Sequence, residues 1–501
     1  QGHCCLPRAL LLEEAERLLE IDSEILRTAL TAELEEESLV EDEVVGETHV
    51  FLPQLWRNER AIAERLLALL EGDPPWPEVD AEAAIDWAGA KLGVEPAPSQ
   101  RRALARALES KVMVLTGGPG VGKTTLVNAL LAIVRAKGTR VALAAPTGRA
   151  AKRLTESTGL EARTIHRLLE IDPRSGRFKR NAEHPLECQL LVIDEVSMVD
   201  VALMASLLEA VPDDAALLLV GDVDQLPSVG PGQVLRDLID SGQIPVTRLT
   251  EIFRQAEASR IVANAHRINH GEMPELAPPE AGSRSDFYFV EANETGEVQR
   301  KLVEIVRRRI SRSFGLDSLR DVQVLCPMNR GPLGAKALNA LLQDALNPSA
   351  RVAVERFGVS FRLGDKVMQV ENDYDKDVFN GDLGTIASID ADEQEVTVRF
   401  DERRVTYRFS ELDELSLAYA TTIHKAQGSE YPAVVLLLSM QHYPMLQPNL
   451  LYTGVTRGRH LVVLLGEVRA LGRAVRNRDV GRRNSRLSQW LRELSTTAST
   501  P

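Results

Sequence analysis

The chain has 501 residues, 44% of them hydrophobic and 26% charged, which is typical of globular proteins and long enough for three or more domains. Its formal net charge of −14 argues against a strongly basic, histone-like DNA coat, but a motor needs only a local basic track. The four cysteines form no CxxC pair, and no apolar run reaches membrane-spanning length, so we expect a cytoplasmic protein without zinc, disulfides or a membrane anchor.

The first segment, residues 1–95, repeats apolar positions at helical spacing and predicts an N-terminal helical domain. Its acidic stretch, residues 13–43, is typical of solvated helix faces. Two proline-rich breaks, GDPPWP and VEPAPS, stop the helical pattern before residue 96. A second domain is therefore expected to begin there.

From residue 96 onward, short Val/Leu/Ile runs alternate with helical segments, which is typical of parallel sheets buried on both faces. The runs fall into two groups and predict two α/β cores, residues 96–245 and 246–501. A turn signal followed by a basic run predicts a β-hairpin inserted at residues 170–190. Short alternating strands with Gly and Asp turns predict a small β-barrel inserted at about residues 352–415.

A phosphate-binding loop is the strongest motif. GGPGVGKTT fits G-x-x-x-x-G-K-[ST] and lies between an apolar strand and a helix. Glycines allow the backbone N–H groups to surround phosphate oxygens, Lys123 would neutralise the β- and γ-phosphates of ATP, and the Thr124 hydroxyl would bind Mg²⁺. The residues expected to contact the nucleotide here are Gly118, Pro119, Gly120, Val121, Gly122, Lys123, Thr124 and Thr125.

Acidic and amide side chains follow two later strands. In LLVIDEVSMVD, Asp194 is placed to hold Mg²⁺ and Glu195 to polarise the attacking water as a general base. Gln225 follows the strand AALLLVGD, at the carboxyl edge where ligands bind in open α/β sheets. Its neutral amide can sense a γ-phosphate without changing the charge of the site.

Taken in order from Gln100 to Arg459, these and later motifs resemble a superfamily 1 helicase of the RecD-like branch. They include PSQRRAL, APTGRAAKRL, TIHRLLE, LTEIFRQ, ATTIHKAQGSEYP and LLYTGVTRGR. The resemblance implies two RecA-like P-loop cores with an N-terminal helical domain, an inserted hairpin and an inserted barrel. It also implies that Gln100 contacts adenine, that Arg254 and Glu430 contribute to the nucleotide site, and that Arg457 is an arginine finger.

The last assignment has a physical basis. ATP bound to one core needs positive charge from the other core to stabilise the transferring phosphoryl group. Arg254 and Arg457 are remote in sequence from the P-loop, and a guanidinium fork matches the geometry of a γ-phosphate. Lys123, Glu195, Gln225, Arg254 and Arg457 are therefore the predicted catalytic residues.

The same resemblance implies a track for single-stranded DNA. Hydroxyl and imidazole groups at strand ends contact phosphate and sugar without reading sequence. Phe178, in the predicted hairpin, is expected at the duplex fork. The full predicted set is Pro146, Thr147, Arg149, Thr164, His166, Phe178, Arg330, Asn339, Thr422, His424 and Lys425.

The sequence therefore predicts a monomeric, ATP- and Mg²⁺-dependent DNA helicase that moves on single-stranded DNA and acts at duplex/single-strand junctions. The resemblance implies 5′→3′ polarity. Three alternatives stay open: a superfamily 1 RNA helicase, a DNA-binding module switched by ATP, and a fragment of a larger machine.

Overall fold

The computed structural model describes residues 2–172, 175–251, 259–279, 283–348, 352–373, 375–477 and 483–498. Two parallel sheets dominate these residues, and each is covered by helices on both faces. The predicted α/β class is confirmed. Among the described residues, no helix has both the length and the apolar character needed to cross a membrane.

The N-terminal region departs from the all-helical prediction. It contains a three-stranded antiparallel sheet of order β1-β3-β2 beside four helices. The acidic strand VEDEV was read as part of a solvated helical stretch because its apolar positions are few. These elements are β1 (Cys5–Pro7), α1 (Arg8–Leu19), α2 (Ser23–Glu35), β2 (Val40–Val44), β3 (Glu47–Phe51), α3 (Pro53–Leu70) and α4 (Ala81–Leu92).

The last two of these helices belong to the first core by packing. In α3, Ile62 and Leu66 are fully buried against the same cluster as Leu191 of the sheet. In α4, Ile85 and Ala88 pack with the apolar face of a core helix. Residues 53–92 therefore do not form a domain separate from the core, as the boundary at residue 95 implied, because both helices bury apolar side chains in the clusters of the first core.

The first core carries a six-stranded parallel sheet of order β6-β5-β7-β8-β4-β9. Its strands are β4 (Val112–Gly117), β5 (Val141–Ala145), β6 (Ala162–Thr164), β7 (Leu190–Ile193), β8 (Ala216–Gly221) and β9 (Val246–Leu249). Its helices are α5 (Pro98–Glu109), α6 (Lys123–Ala136), α7 (Gly148–Thr158), α8 (Ile165–Leu168), α9 (Val201–Ala210) and α10 (Val234–Ser241). Because β9 pairs with β4, the boundary placed at residue 245 is wrong and the first core extends to residue 249.

The insert at residues 170–190 is less regular than a hairpin. One antiparallel bridge joins Ile171 to Phe178, and Gly176 in the turn between them has a φ of 69°. Within the described residues from 179 to 189 no strand forms. The predicted β-hairpin is therefore confined to the residues next to this turn, and irregular chain follows it.

The second core carries a five-stranded parallel sheet of order β10-β21-β20-β11-β19. Its strands are β10 (Phe287–Glu291), β11 (Val322–Cys326), β19 (Ala420–Thr422), β20 (Tyr431–Leu438) and β21 (Gly458–Gly466). Its helices are α11 (Arg260–Asn269), α12 (Thr295–Glu304), α13 (Ile310–Phe314), α14 (Ala335–Leu346), α15 (Pro448–Val455) and α16 (Val468–Arg476). A π-helical turn, Ile305–Arg309, joins α12 to α13.

The β insert, residues 353–417, lies between β11 and β19 in sequence. A two-stranded hairpin precedes a five-stranded antiparallel sheet of order β17-β16-β15-β14-β18, which has its own apolar core. The strands are β12 (Ala353–Arg356), β13 (Val359–Arg362), β14 (Lys366–Gln369), β15 (Leu383–Asp390), β16 (Glu395–Phe400), β17 (Arg403–Arg408) and β18 (Leu415–Leu417). The prediction of a small antiparallel β insert in the second core is confirmed.

The C-terminal helix α17 (Leu487–Ala498) returns to the first core, packing against α3 and α10. This corrects the assignment of all residues from 246 to 501 to the second core. We call residues 483–498 the C-terminal tail. Its Ser485 contacts the first core, with the hydroxyl 2.6 Å from Glu59 Oε1 and 2.8 Å from Asp237 Oδ2. Both carboxylates are buried, and burial raises the pKa of Asp237 to about 7.

This buried carboxyl predicts a pH-dependent stability. Because the folded pKa of Asp237 lies above that of an exposed aspartate, the protonated form stabilises the fold, and this stability is lost as pH rises through about 7. Asp237→Asn, which stays neutral, should raise the free energy of unfolding at pH 8 by up to about 4 kcal/mol, with no gain near pH 4. Urea denaturation at both pH values measures this.

The exposed Asp214→Asn is the matched control and should leave the pH profile of stability unchanged. Parallel pH profiles for wild type and Asp237→Asn would show that the carboxyl is ionised in the folded protein.

Candidate nucleotide site and nucleic-acid track

The phosphate loop joins the end of β4 to the start of α6. Gly120 and Gly122 have φ values of 74° and 82°, a left-handed conformation that costs glycine little. Lys123 folds back over the loop, and its Nζ donates to the carbonyl oxygens of Gly117 at 2.5 Å and Gly118 at 2.9 Å. The ammonium group is thus held against the loop that is predicted to bind the phosphates.

Two carboxylates follow β7, the strand two places from β4. Glu195 has a φ of 54° and its backbone N–H donates to Asp194 Oδ1 at 2.9 Å. Burial, followed by repulsion from Glu195, raises the pKa of Asp194 to about 6. Asp194 and Thr124 line one cleft, and their hard oxygen donors suit Mg²⁺, which commonly keeps several water ligands. The residues present therefore fit the metal that was expected.

The opposite wall of this cleft comes from the second core. Arg457 follows α15, is 2% exposed, and donates from Nη2 to Gln225 Oε1 across the cleft at 2.9 Å. Its Nη1 and Nε donate to the carbonyls of Ser429 at 3.1 Å and Thr453 at 3.2 Å. Lys123 and Arg457 line the same cleft. Arg254 lies outside the described residues.

Three cleft residues were missed at the sequence level, although all lie inside quoted motifs. Arg153, on α7, lies 3.0 Å from Glu430 Oε1 and 3.6 Å from Glu195 Oε1. Asp222, at the end of β8, accepts from Gln225 Nε2 at 3.2 Å and from the Tyr452 hydroxyl at 2.8 Å. Burial raises the pKa of Asp222.

Tyr452 lies on α15 of the second core, so a chain of hydrogen bonds crosses the cleft twice. It runs from Tyr452 to Asp222, then to Gln225, then back to Arg457. The Tyr452 oxygen would also lie 3.0 Å from a Cβ added at Gly118. The signal available in the sequence was a tyrosine in the same motif as Arg457.

Gln100 and Glu430 are both predicted to contact the nucleotide, but only Glu430 lines the cleft. Gln100 is 3% exposed; its Nε2 donates to the Val121 carbonyl at 3.3 Å, and its Oε1 accepts from Ala97 N. It supports the phosphate loop from behind and does not line the cleft, which corrects its expected contact with adenine for this conformation. Glu430 does line the cleft, where it binds Arg153 and Arg459.

Three predicted track residues are threonines that follow parallel strands. Thr147 caps α7 and Thr164 caps α8, each accepting a backbone N–H through its hydroxyl, and the Thr422 hydroxyl accepts the backbone N–H of Lys425 in the short 3₁₀ helix His424–Ala426. Pro146 precedes the first of them and is half-buried. Thr147 and Thr422 are partly exposed at the carboxyl ends of the two sheets, whereas Thr164 is buried.

The other predicted track residues differ in their exposure and in the contacts that they make within the protein. Lys425 and Arg330 are exposed on loops of the second core. Arg149 reaches across to Ser429 Oγ at 2.9 Å and stacks over the Tyr431 ring. Burial lowers the pKa of both His166 and His424.

Two residues of this set pack against other parts of the protein in this conformation, Asn339 almost completely and Phe178 in part. Asn339 is 8% exposed and exchanges two hydrogen bonds with Ala420, at 2.9 and 2.8 Å. It pairs with the free edge of β19 as a further strand would, and so is not available to DNA. Phe178 points inward, with its ring 5.8 Å from that of His166. Exposed residues of the insert include the turn Ser175–Arg177 and Lys179.

Three family models match the chain. An AAA domain matches residues 95–284, an ATP-dependent RecD-like DNA helicase SH3 domain matches residues 338–400, and a UvrD-like helicase C-terminal domain matches residues 417–465. The second match falls on α14 and most of the β insert. The three matches follow the same order along the chain as the first core, the insert and the later strands of the second core.

Curated relatives align over most of the chain. The ATP-dependent RecD2 DNA helicase of Deinococcus radiodurans is 37% identical over 468 residues, which is 91% of this chain and 62% of that protein. The RecD subunit of the RecBCD enzyme of Mycolicibacterium smegmatis is 33% identical, over 84% of this chain and 79% of that protein. The chain thus spans about 62% of the length of the Deinococcus relative.

Among solved structures, Bacteroides Pif1 helicase in complex with ADP-AlF3 and ssDNA is 21% identical and has a TM-score of 0.45. The similarity covers 74% of this chain and 92% of that chain.

The Tyr452 hydroxyl provides a test of the cleft. Tyr452→Phe removes one donor from the buried Asp222, so Gln225 should lose its fixed position. We expect the kcat for ATP hydrolysis to fall about tenfold. Steady-state ATPase assays measure it.

Tyr419→Phe is the matched control, because Tyr419 makes the same kind of buried bond to Asp365 at 2.8 Å, away from the cleft. Equal losses of kcat in both variants would mean that the tyrosines act only through stability.

Proposed function

Since the chain belongs to the RecD-like family of superfamily 1 DNA helicases, we propose that it couples ATP hydrolysis to movement along single-stranded DNA. One observation carries this proposal. Lys123 from the first core and Arg457 from the second core line one cleft, and Arg457 already reaches across it to Gln225. This is the charge arrangement that phosphoryl transfer between two lobes requires.

The proposed chemistry assigns a role to each cleft residue. Lys123 binds the β- and γ-phosphates, and Arg457 stabilises the charge that develops on the transferring phosphoryl group. Asp194 and Thr124 hold Mg²⁺, which neutralises phosphate charge when bound. Glu195, 6% exposed, accepts the proton of the attacking water.

A rigid element connects this cleft to the proposed track. Helix α7 begins at Thr147, whose hydroxyl caps it, and carries Arg153 into the cleft less than two turns later. In the second core, the Ser429 carbonyl binds Arg457 while the Ser429 hydroxyl binds Arg149. A change of charge at the nucleotide can therefore move track residues of both cores together.

The β insert closes over the start of the same helix. Phe379 lies so near Gly148 that an added Cβ would be 2.6 Å from its Cβ, and Arg167 lies 3.3 Å from Asp377. We propose that single-stranded DNA passes between the first core and the β insert. Monomeric action, binding to duplex junctions, 5′→3′ polarity and a cytoplasmic location remain part of the proposal.

Lys123→Ala should abolish ATPase activity stimulated by single-stranded DNA, because no other cation reaches the phosphate loop from its own helix. A coupled ATPase assay with a poly(dT) oligonucleotide measures this. Lys137→Ala, an exposed substitution just beyond the end of the same helix, is the control and should retain the wild-type rate. Near-normal turnover by Lys123→Ala would refute the phosphate-loop assignment.

Polarity and substrate class are tested together by unwinding of tailed duplexes. We expect the wild-type protein to unwind a duplex with a 5′ single-stranded DNA tail and to fail with a 3′ tail. A duplex with a 5′ RNA tail separates the DNA motor from the RNA alternative. Unwinding from the RNA tail alone would replace the proposed substrate, and ATPase without unwinding of any duplex would favour a switched binding module.

A further inference from the structure

The loop that carries Gln225 extends well beyond the nucleotide cleft. We call residues 222–233 the sensor loop; it joins the end of β8 to the start of α10. Its first half lines the cleft through Asp222 and Gln225. Its second half, around Val229, lies on the outside of the protein, and Val229 is 84% exposed.

The second core fixes the first half of this loop. The Leu226 backbone N–H donates to Thr453 Oγ1 at 2.9 Å, and Gln427 Nε2 donates to the Leu226 carbonyl at 3.0 Å. Together with the Gln225–Arg457 bond, these contacts attach the first half of the sensor loop to the second core, so that it moves with that core.

The C-terminal tail fixes the second half through a single side chain, Arg483. Its Nη1 lies 2.8 Å from the Gly230 carbonyl, 2.7 Å from the Gly232 carbonyl and 3.3 Å from Ser228 Oγ. Its Nη2 donates to the Ser228 carbonyl at 2.7 Å. The planar guanidinium thus collects three backbone carbonyls of one loop, and a lysine has no comparable fork.

The surroundings of Arg483 place it beside the proposed track. Its charge lowers the pKa of His424 in addition to the larger effect of burial. Asp200, which lies against Gly230, interacts electrostatically with both Arg483 and His166. Contacts also link the sensor loop to the proposed track, because Gln427, whose side chain binds the Leu226 carbonyl, donates its backbone N–H to the His424 carbonyl at 3.2 Å.

We propose that Arg483 is a positioning residue that holds the second half of the sensor loop, so that occupancy of the track is transmitted to Gln225 in the nucleotide cleft. The inference rests on the proposed function. Other contacts also hold this half: Gly232 N donates to Gly2 O, and Val201 N donates to Pro231 O. Neither provides the carbonyls of Ser228, Gly230 and Gly232 with a donor.

Loss of the guanidinium leaves too few donors for these carbonyls. Ser228 Oγ lies 3.1 Å from the Gly230 carbonyl and 3.4 Å from the Gly232 carbonyl, but a hydroxyl has one proton and can satisfy only one of them. The loop would then rearrange to reach water. Gln225 would still bond to Arg457, but the position of the loop would no longer depend on whether DNA occupies the track.

The test compares Arg483→Ala with wild type in the full chain, using ATPase assays with saturating poly(dT). We expect the DNA-stimulated kcat to fall about tenfold while the KM for ATP changes less than about twofold. Arg483→Lys should lose less, because it keeps the charge. Added guanidinium chloride at low concentration should restore part of the rate of Arg483→Ala, and sodium chloride at equal ionic strength should not.

Arg492→Ala is the matched control. Arg492 anchors the same tail by donating from Nε to the Ser241 carbonyl at 3.2 Å, without touching the sensor loop. It should keep the stimulated rate. Equal losses in both variants would assign the effect to tail docking and overturn the inference, as would a wild-type rate in Arg483→Ala. If Arg483→Ala fails to fold, Arg483→Lys decides, and a wild-type rate there overturns the inference.

A failure of the proposed function can be distinguished from a failure of this inference. In that case the wild-type protein itself would show no ATPase activity with poly(dT), whereas failure of the inference leaves wild-type stimulation intact.

Discussion

Arg457 is a charged group buried at the contact between two lobes, and this constrains much of the surrounding structure. A guanidinium that is 2% exposed requires hydrogen-bond acceptors on every side. Ser429 and Thr453 supply carbonyls from the second core, and Gln225 supplies an amide oxygen from the first. Because one acceptor belongs to the other lobe, separating the cores would leave the arginine short of a partner.

The charges around this arginine explain why the cleft suits a phosphate anion. Desolvation raises the pKa of the partly buried Asp194 and of the buried Asp222, and the charge of Lys123 acts on both carboxyls in the opposite direction. Burial acts to raise the pKa of Glu430, but the pKa is lowered because Arg153, Arg459 and Arg457 together outweigh burial. Cations from both lobes therefore meet in a pocket where two of the carboxyls, Asp194 and Asp222, are costly to ionise, and bound phosphate with its metal would supply compensating charge.

Contiguous features were predictable and long-range pairings were not. The phosphate loop consists of nine consecutive residues, so its glycines and lysine can be recognised as a motif from the sequence alone. Strand β9 was missed because VTRL is short and carries an exposed arginine, and only its pairing with β4 makes it a strand. The return of α17 to the first core depends on Glu59 and Ser485, which are 426 positions apart.

A motif match locates a residue in the fold without fixing what its side chain contacts. Gln100 and Asn339 both lie in segments that resemble ligand-binding motifs, yet each uses its amide on the protein backbone. Tyr452, in an equally clear motif, was passed over although it reaches the nucleotide cleft. An amide side chain satisfies a loop or a sheet edge as readily as it binds a ligand, so residue type cannot separate the two roles. The hydrogen bonds of the amide can, because the oxygen and the nitrogen of the Gln100 side chain both bond to backbone groups of the protein.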